Sequence, residues 1–285
     1  MAHVLEFLHD PDAFLAEAVE LLAATPVEST VVAGVTARMS ADADAGRQPP
    51  GGFPLWWLVV RDGAGRVVGA GMRTAPFAPH PPYLLTMPEE AAGRLAHELH
   101  ERGEQVFGVN GALPAGRTHR VAENTRLFVL DRLQAPSPPP GRARLACADE
   151  VGQVLAWYDA FGGDAAEQAG RAEPHLGPEE DEASMLRRIS EGTVWVWEDE
   201  SGALVHVTGA SRPAFGVSRI GPVYTPPGQR GRGYAGATVA AASAALLDEG
   251  ARVCLFTDQA NPVSNALYQR LGFRPVVDMA NLVIE

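Results

Sequence analysis

The chain has 285 residues, 46% of them hydrophobic, a length that suits two domains of ordinary size. Its net charge of -12 argues against a nucleic-acid partner, and no apolar run reaches the roughly 20 residues that a membrane span needs. The N-terminal stretch has no basic region followed by an uninterrupted apolar segment. We therefore expect a cytoplasmic protein without a membrane partner.

The basic residues and the cysteines exclude several further chemistries. All 23 basic residues are arginine, which rules out a lysine on a triphosphate, a Schiff base and a lysine general base. The two cysteines, Cys147 and Cys254, lie far apart in apolar surroundings, without histidines at metal-ligand spacing. We expect reduced, buried thiols and no metal site.

The same order of predicted elements occurs twice along the chain: three strands, a helix and a fourth strand. In the first half these elements are predicted at 55–60, 66–74, 82–87, about 88–102 and 105–110. In the second half they are predicted at 193–199, 204–211, 217–225, 234–249 and 252–258. We interpret this as an internal structural duplication with little residual identity.

A proline-rich segment separates the two halves. The stretch QAPSPPPG, residues 134–141, can form neither a helix nor a central strand and is typical of a stiff, extended linker. We therefore predict a first domain over 1–135, a linker over 136–141 and a second domain over 142–285. Paired tryptophans occur in both halves, and we expect them to pack in the core or between domains. They are Trp56, Trp57, Trp195 and Trp197.

A glycine-rich stretch in the second half has the spacing of a pyrophosphate-binding loop. Gly231, Gly233 and Gly236 spell G-x-G-x-x-G before the predicted helix. Asp258 follows at close to the roughly 20-residue offset at which an acid binds the ribose of a dinucleotide. However, the residues PPGQR separate the preceding strand from Gly231, and too little chain follows for a doubly wound fold. Coenzyme A is the other pyrophosphate ligand that we consider.

Two stretches resemble the GNAT acetyltransferase family. Residues 230–235, RGRGYA, are similar to its R/Q-x-x-G-x-G/A loop, which lies between a strand and a long helix. Residues 255–273, which contain NPVSNALY and a closing LGF, resemble the segment after the family's fifth strand. The resemblance implies an α/β (α+β) fold with two GNAT-like domains, each a mixed, mostly antiparallel sheet flanked by helices. The first domain would be degenerate and the second catalytic.

The resemblance also implies acetyl-CoA as the cofactor and indicates which residues contact it. Glycines in the loop let backbone N–H groups converge on a phosphate at a helix N-terminus, and the two arginines of the loop can add charged contacts. In the family, a backbone N–H of the splayed fourth strand faces the thioester carbonyl, an asparagine contacts pantetheine, and a tyrosine hydroxyl lies near the sulfur. This makes Tyr268 the implied general acid. The implied cofactor residues are Val223, Tyr224, Thr225, Arg230, Gly231, Arg232, Gly233, Tyr234, Ala235, Asn261 and Asn265.

Several of these residues also have simpler interpretations. Asn261 precedes Pro262 and suits the N-cap of a helix, whether or not it contacts a ligand. Tyr268 could serve only for packing. Gly221 and Pro222 disturb the fourth strand and favour a bulge or a splay there.

The general base is not identified, because residues 218–225 contain no acid, whereas several family members carry a glutamate on this strand. A water chain, His206 or an acidic run could remove the amine proton, although His206 also suits a satisfied strand position and the run suits a helix start. The acidic run consists of Glu179, Glu180, Asp181 and Glu182.

Two functions follow from the resemblance. The first is transfer of an acetyl group to a primary amine of a small or cationic acceptor, either a small molecule or a peptide. The second is a non-catalytic acyl-CoA-binding sensor or interaction protein. The helix predicted from Pro88 begins with Glu89 and Glu90, which would repel a phosphate, so we expect no second cofactor site in the first half. Neither the acceptor nor the oligomeric state can be predicted from the sequence.

Overall fold

The chain forms two compact units. The computed structural model of the protein describes residues 3–49, 51–112, 120–171 and 180–283. The first unit comprises Met1–Thr125 and Val277–Glu285, and the second comprises Arg126–Val276.

The first unit is a mixed sheet with helices. Its elements are β1 (Val4–Leu8), α1 (Pro11–Ala24), α2 (Thr30–Asp44), β2 (Trp56–Arg61), β3 (Val67–Arg73), β4 (Tyr83–Leu84), α3 (Glu89–Glu101) and β5 (Gly108–Ala112). The strand order is β1-β2-β3-β4-β5, and β4 and β5 form the parallel pair. The predicted helix at about 88–102 is confirmed, whereas the strand predicted over 82–87 is reduced to two residues.

The remaining elements form the second unit, except that residues 120–125 of the first of these strands and residues 277–283 of the last belong to the first unit. They are β6 (Arg120–Leu130), β7 (Arg142–Leu145), α4 (Val151–Gln168), α5 (Glu182–Ser190), β8 (Val194–Glu198), β9 (Leu204–Ala210), β10 (Val217–Tyr224), α6 (Tyr234–Asp248), β11 (Arg252–Asp258), α7 (Pro262–Arg270) and β12 (Phe273–Val283). The strand order is β6-β11-β10-β9-β8-β7, with β10 and β11 parallel. All the strands and the long helix predicted for this half are confirmed.

The duplication is visible in the order of the strands. Each sheet has an antiparallel series, one parallel pair and a final strand beside that pair. In the first unit the final strand is the C-terminal part of β12, paired antiparallel with β5. In the second unit it is β6, which precedes the proline-rich segment. Each sheet therefore takes its last strand from the other half of the sequence.

The compact units consequently differ from the predicted boundaries of 1–135, 136–141 and 142–285. Residues 126–141 belong to the second unit and residues 277–285 to the first. The proline-rich segment packs within the second unit, since the Gln134 backbone N–H donates to Leu271 O at 2.9 Å and Trp197 Nε1 donates to Pro140 O at 3.1 Å. Gly272 permits this approach, because a Cβ there would lie 1.9 Å from Arg132 O.

The cores account for most of the tryptophans. Trp56, Trp57 and Trp197 are at most 2% exposed, and this confirms their expected role in packing. The prediction of two buried thiols is wrong for Cys147, which is exposed, and correct for Cys254. Cys147 lies just after β7, the last strand of its sheet, where the chain turns toward α4, so less protein covers it.

Candidate functional site

The fourth strand of the second unit is irregular where the sequence predicts a disturbance. The parallel register of β10 and β11 extends as far as Ile220 opposite Leu255, although both strands continue beyond this point. On the other side of β10, the register with β9 shifts between Ile220 and Val223. Gly221 lies inside this shift with φ +150°, followed by a cis peptide bond to Pro222. The predicted irregularity is confirmed, and it separates the ends of the two parallel strands.

The glycine-rich loop lies between β10 and α6. A short 3-10 turn over Pro227–Gln229 precedes it, and Gly231 and Gly233 have φ values of +78° and +88°. A Cβ on either glycine would meet no atom within 4 Å, so glycine is required here for its backbone conformation and not for lack of space. Residues 231–233 are exposed.

The start of α6 has the features of an anion site. Gly233 is the N-cap and makes no side-chain capping bond. The first backbone N–H groups of a helix have no partner within the helix, and the helix dipole adds partial positive charge at this end. The exposed glycines 231 and 233 lie directly before these groups, as in helix starts that bind phosphate groups.

The two arginines of the loop differ in their surroundings. Arg230 is held by the protein: its guanidinium donates to Asp164 Oδ2 at 2.6 Å and to Thr225 O at 3.0 Å. Arg232 is exposed and donates to Gly228 O at 3.3 Å. Of the two guanidinium groups, that of Arg232 is therefore the more available to a ligand.

The tyrosines on either side of the loop point into the protein. Tyr224 is 6% exposed, and its hydroxyl donates to Asp164 Oδ2 at 2.9 Å. Tyr234 is 8% exposed and packs against Trp197, with ring centroids 6.1 Å apart. Both positions would therefore contact a ligand mainly through their backbone. The other predicted contacts near the loop, Val223, Thr225 and Ala235, are half-buried.

Both predicted asparagines hold the start of α7 in place. Asn261 is the N-cap, and its Oδ1 accepts from the backbone N–H groups of Val263 and Ser264. The Asn265 amide accepts from Thr257 Oγ1 at 2.7 Å and donates to Asn261 O at 2.7 Å. The expected capping role of Asn261 is confirmed. Asn265 uses both ends of its amide within the protein, which was not foreseen.

Tyr268 lies in the core of the second unit. It is 6% exposed, and its ring makes an edge contact with Phe273 at a centroid distance of 5.9 Å. We find no hydrogen bond from its hydroxyl to any residue that the structure describes. Burial raises the pKa of Tyr268 above that of an exposed tyrosine, so the phenol keeps its proton at neutral pH.

His206 is a satisfied strand residue. Its Nδ1 lies 2.7 Å from Thr225 Oγ1 and its Nε2 lies 2.7 Å from Thr208 Oγ1. The side chain is fully buried, and this desolvation lowers the pKa of His206 to about 3. The imidazole is neutral at physiological pH, and both of its nitrogens already have partners. This favours the simpler of the two interpretations of His206.

The acidic run opens a helix, in agreement with its simpler interpretation. Asp181 is the N-cap of α5 and accepts from the Ser184 backbone N–H at 2.7 Å. Glu180 pairs with Arg188 at 2.8 Å. Glu179 lies outside the described residues. Two of the acids considered as base or as cation-binding groups are thus already engaged.

Two polar residues near the loop carried no sequence signal. Asp164, on α4, contacts both Arg230 and Tyr224, and Arg171 contacts Asp258 Oδ2 at 2.8 Å. Neither residue belongs to a recognisable motif, because their partners lie far along the chain. Only a knowledge of how α4 packs against β10, and of where the chain runs after α4, could have identified them.

Comparison with known families agrees with this geometry. A model of the acetyltransferase (GNAT) family matches residues 155–273, which include most of α4, the glycine loop and α7. These residues belong to the GNAT acetyltransferase family. The sequence has no match among curated proteins.

Solved structures extend the likeness in fold to the whole chain. A Drosophila protein has a TM-score of 0.64 at 13% identity, and 99% of each chain is covered. A GNAT-family acetyltransferase from Colwellia psychrerythraea has a TM-score of 0.59 at 12% identity, covering 99% of this chain and 100% of the other. A tandem GNAT protein from the clavulanic acid biosynthesis pathway has a TM-score of 0.58 at 18% identity, with 98% of each chain covered. The predicted fold of two GNAT-like domains is thereby confirmed.

Two further observations apply to the part of the chain that the structure describes. Within that part of the chain, no helix is both long and apolar enough to cross a membrane. The same residues contain no cluster of three or more His, Cys, Asp or Glu side chains that could hold a metal ion.

Proposed function

We propose that the second unit is an acetyl-CoA-dependent N-acetyltransferase that acts on a primary amine. The observation that carries this proposal is the start of α6, where exposed glycines at positive φ precede the first helical turn beside an irregular strand. These features lie within the residues that match the acetyltransferase family. The pyrophosphate of coenzyme A is the anion that such a helix start suits.

The residues that hold the cofactor divide into two groups by their proposed roles. Backbone N–H groups of residues 231–235 hold the pyrophosphate, and the exposed guanidinium of Arg232 adds a charged contact. Backbone groups of 223–225 and the region around Asn261 and Asn265 bound the slot for pantetheine and the thioester. When bound, acetyl-CoA supplies an acyl group activated as a thioester.

Tyr268 is the proposed proton donor. Acyl transfer from a thioester needs protonation of a thiolate, and the phenol of Tyr268 is protonated at neutral pH. The removal of the amine proton falls to solvent in this proposal. His206 and Glu180, the described polar alternatives, are already bound to protein partners.

A second candidate function is a non-catalytic acyl-CoA-binding sensor. One observation favours it: β10 has no acid, and three groups that could replace it, His206, Glu180 and Asp181, are engaged within the protein. The cofactor site would then be retained without turnover. The cytoplasmic location stays a prediction from the sequence. The identity of the acceptor and the oligomeric state stay open.

A thiol-release assay separates the two functions. The full chain is incubated with acetyl-CoA and a panel of small, cationic and peptide amines, and free coenzyme A is measured. An acetyltransferase releases thiol faster with at least one amine than without amine, and mass spectrometry finds that amine acetylated. Binding of acetyl-CoA without amine-dependent release would favour the sensor, and no binding would contradict both functions.

A further inference from the structure

The C-terminal part of α4 contacts the ends of both parallel strands. Asp164 Oδ2 accepts from the Arg230 guanidinium at 2.6 Å and from the Tyr224 hydroxyl at 2.9 Å. One turn beyond the end of the helix, Arg171 donates to Asp258 Oδ2 at 2.8 Å. Tyr224 is the last residue of β10 and Asp258 the last of β11.

These contacts lie beyond the point at which the two strands separate. The register of β10 with β11 extends as far as Ile220 opposite Leu255, whereas the contacted residues come three or more positions later. Hydrogen bonds of the sheet therefore do not set the spacing of the strand ends. Charged contacts from Asp164 on α4 and from Arg171 just beyond it constrain the ends of both strands.

The Arg230 side chain is committed to this arrangement. Its Nε donates to Thr225 O at 3.0 Å while one Nη pairs with Asp164. The Arg230 and Asp164 side chains are 31% and 25% exposed, so the pair is partly shielded from solvent. Paired in this way, the guanidinium connects the base of the glycine loop to α4.

We propose that Asp164 is a positioning residue for the cofactor loop, which it fixes through Arg230. In this role Arg230 is an anchor of the loop, while the backbone N–H groups of residues 231–235 and Arg232 hold the pyrophosphate. The inference rests on the proposed binding of acetyl-CoA. It replaces the side-chain phosphate contact that the sequence suggested for Arg230.

The two roles of Arg230 predict opposite effects of removing the Asp164 charge. If Asp164 positions the loop, its loss lets the loop move, and acetyl-CoA binds more weakly. If Arg230 is a phosphate ligand, Asp164 competes with the cofactor for the guanidinium, so its loss frees a cation and strengthens binding. The sign of the change in affinity decides between them.

Calorimetric titration of acetyl-CoA into the full chain provides this test, with Asp164→Asn compared with wild type. We expect affinity to fall by about 3- to 30-fold, the range typical of a coupled contact. Asp159→Asn is the matched control, because it removes the same charge from an exposed position of α4 and should leave affinity unchanged. Tighter binding by Asp164→Asn, or an equal loss in Asp159→Asn, would overturn the proposal.

Two further variants guard against a purely structural explanation. Combining Asp164→Asn with Arg230→Gln should weaken binding no more than the larger single change, because both changes break one contact; additive losses would count against it. Asp164→Glu should recover part of the affinity. In turnover assays, KM for acetyl-CoA should rise while kcat and KM for the amine change little, and a fall confined to kcat would contradict a positioning role.

Failure of this inference can be distinguished from failure of the proposed function. If the wild-type chain does not bind acetyl-CoA, the proposed function fails. The Asp164–Arg230 contact can still be measured by a double-mutant cycle on chemical unfolding, which needs no ligand. If Asp164→Asn does not fold, Tyr224→Phe removes one hydrogen bond to Asp164 and should weaken binding to a smaller extent. Unchanged or tighter binding by Tyr224→Phe would then refute the positioning role.

Discussion

In each unit one helix connects the two parallel strands, α3 in the first unit and α6 in the second. These two helices begin in opposite ways. In the first unit, α3 follows Pro88 and carries Glu89 and Glu90 in its first turn, both exposed. In the second unit, α6 follows Gly233 at φ +88° and has no acid in its first turn. One helix start supplies its own negative charge, and the other leaves its N–H groups to an external anion.

The fold and the binding site are therefore separable. Both units have the same series of strands with a parallel pair next to the last one. A scaffold of this kind determines where a helix N-terminus lies, while the residues of the preceding loop determine what it can bind. The cofactor is therefore assigned to one helix start by chemistry and not by topology.

The largest effect is expected when α6 is given an acidic start like that of α3. We expect Gly233→Asp to weaken acetyl-CoA binding by about 10- to 1,000-fold, because a carboxylate about 4 Å from a phosphate costs about 1 to 4 kcal/mol. The fold should persist with a modest loss of stability, since a Cβ there meets no atom within 4 Å and the strain of a non-glycine residue at positive φ is about 1 to 2 kcal/mol. Calorimetry measures the affinity, and thermal unfolding monitors the fold.

The control for this change lies at the other end of the same helix. Gly250 follows α6 with φ +81°, and a Cβ there also meets no atom within 4 Å. Gly250→Asp thus adds the same charge at the same kind of backbone position and should leave affinity near that of wild type. Equal losses in the two variants would show that binding does not occur at the start of α6.

A second prediction tests whether the second unit is catalytic. Tyr268→Phe should reduce turnover by about 100-fold, at the low end for general acid catalysis because a thiolate is a tolerable leaving group. Binding of acetyl-CoA and the free energy of unfolding should change little, since we find no hydrogen bond from this hydroxyl to the described residues. Turnover within twofold of wild type would assign Tyr268 to packing.

The sequence predicts the local elements better than the pairing between distant ones. Alternation and helix-start signals identify α3, α6 and β8 to β11, since these depend on neighbouring residues. The placement of β6 beside β11 and of β12 beside β5 leaves no local signal, so the predicted boundary at 135 differs from the compact units.

The same distinction applies to the site. Positive φ at Gly231 and Gly233 follows from the glycine pattern, and the capping by Asn261 follows from the proline after it. The pairing of Arg230 with Asp164 joins residues in different elements, and it redirects a side chain that the motif alone assigns to phosphate. Motifs predict backbone conformation here more securely than side-chain partners.

The two units also differ in the polar groups they bury, which pH can reveal. The first unit buries the ion pair of Arg73 and Glu104, 4% and 5% exposed, whereas the second buries neutral His206. The pKa of His206 is lowered to about 3, so above pH about 6.5 the imidazole is neutral in both folded and unfolded chains. As the pH falls below that value, the unfolded chain takes up a proton and stability is lost.

Replacing the imidazole should remove this loss. Between pH 6.5 and pH 5, wild type should lose about 2 kcal/mol more unfolding free energy than His206→Gln, from about 1.4 kcal/mol per pH unit. Denaturant titrations at both pH values measure the difference, whatever the stability of the variant at neutral pH. Parallel pH profiles for the two proteins would mean that His206 titrates normally in the folded chain.

The smallest expected effect is at the start of α3. Glu89→Gln with Glu90→Gln removes both acids from its first turn but adds neither the glycines nor the open loop of the second unit. We expect no new acetyl-CoA site and no change in affinity at α6. A second binding event in calorimetry would show that charge alone distinguishes the two helix starts.

The stoichiometry of acetyl-CoA binding tests directly whether the cofactor binds to the second unit alone. Titration of the full wild-type chain should give one site per chain, and the combined change Gly231→Asp with Gly233→Asp should abolish it while the protein stays folded. We expect one site, and we expect it to disappear in the double variant. Two sites per chain, or a site that survives the double change, would contradict the assignment of the cofactor to the second unit alone.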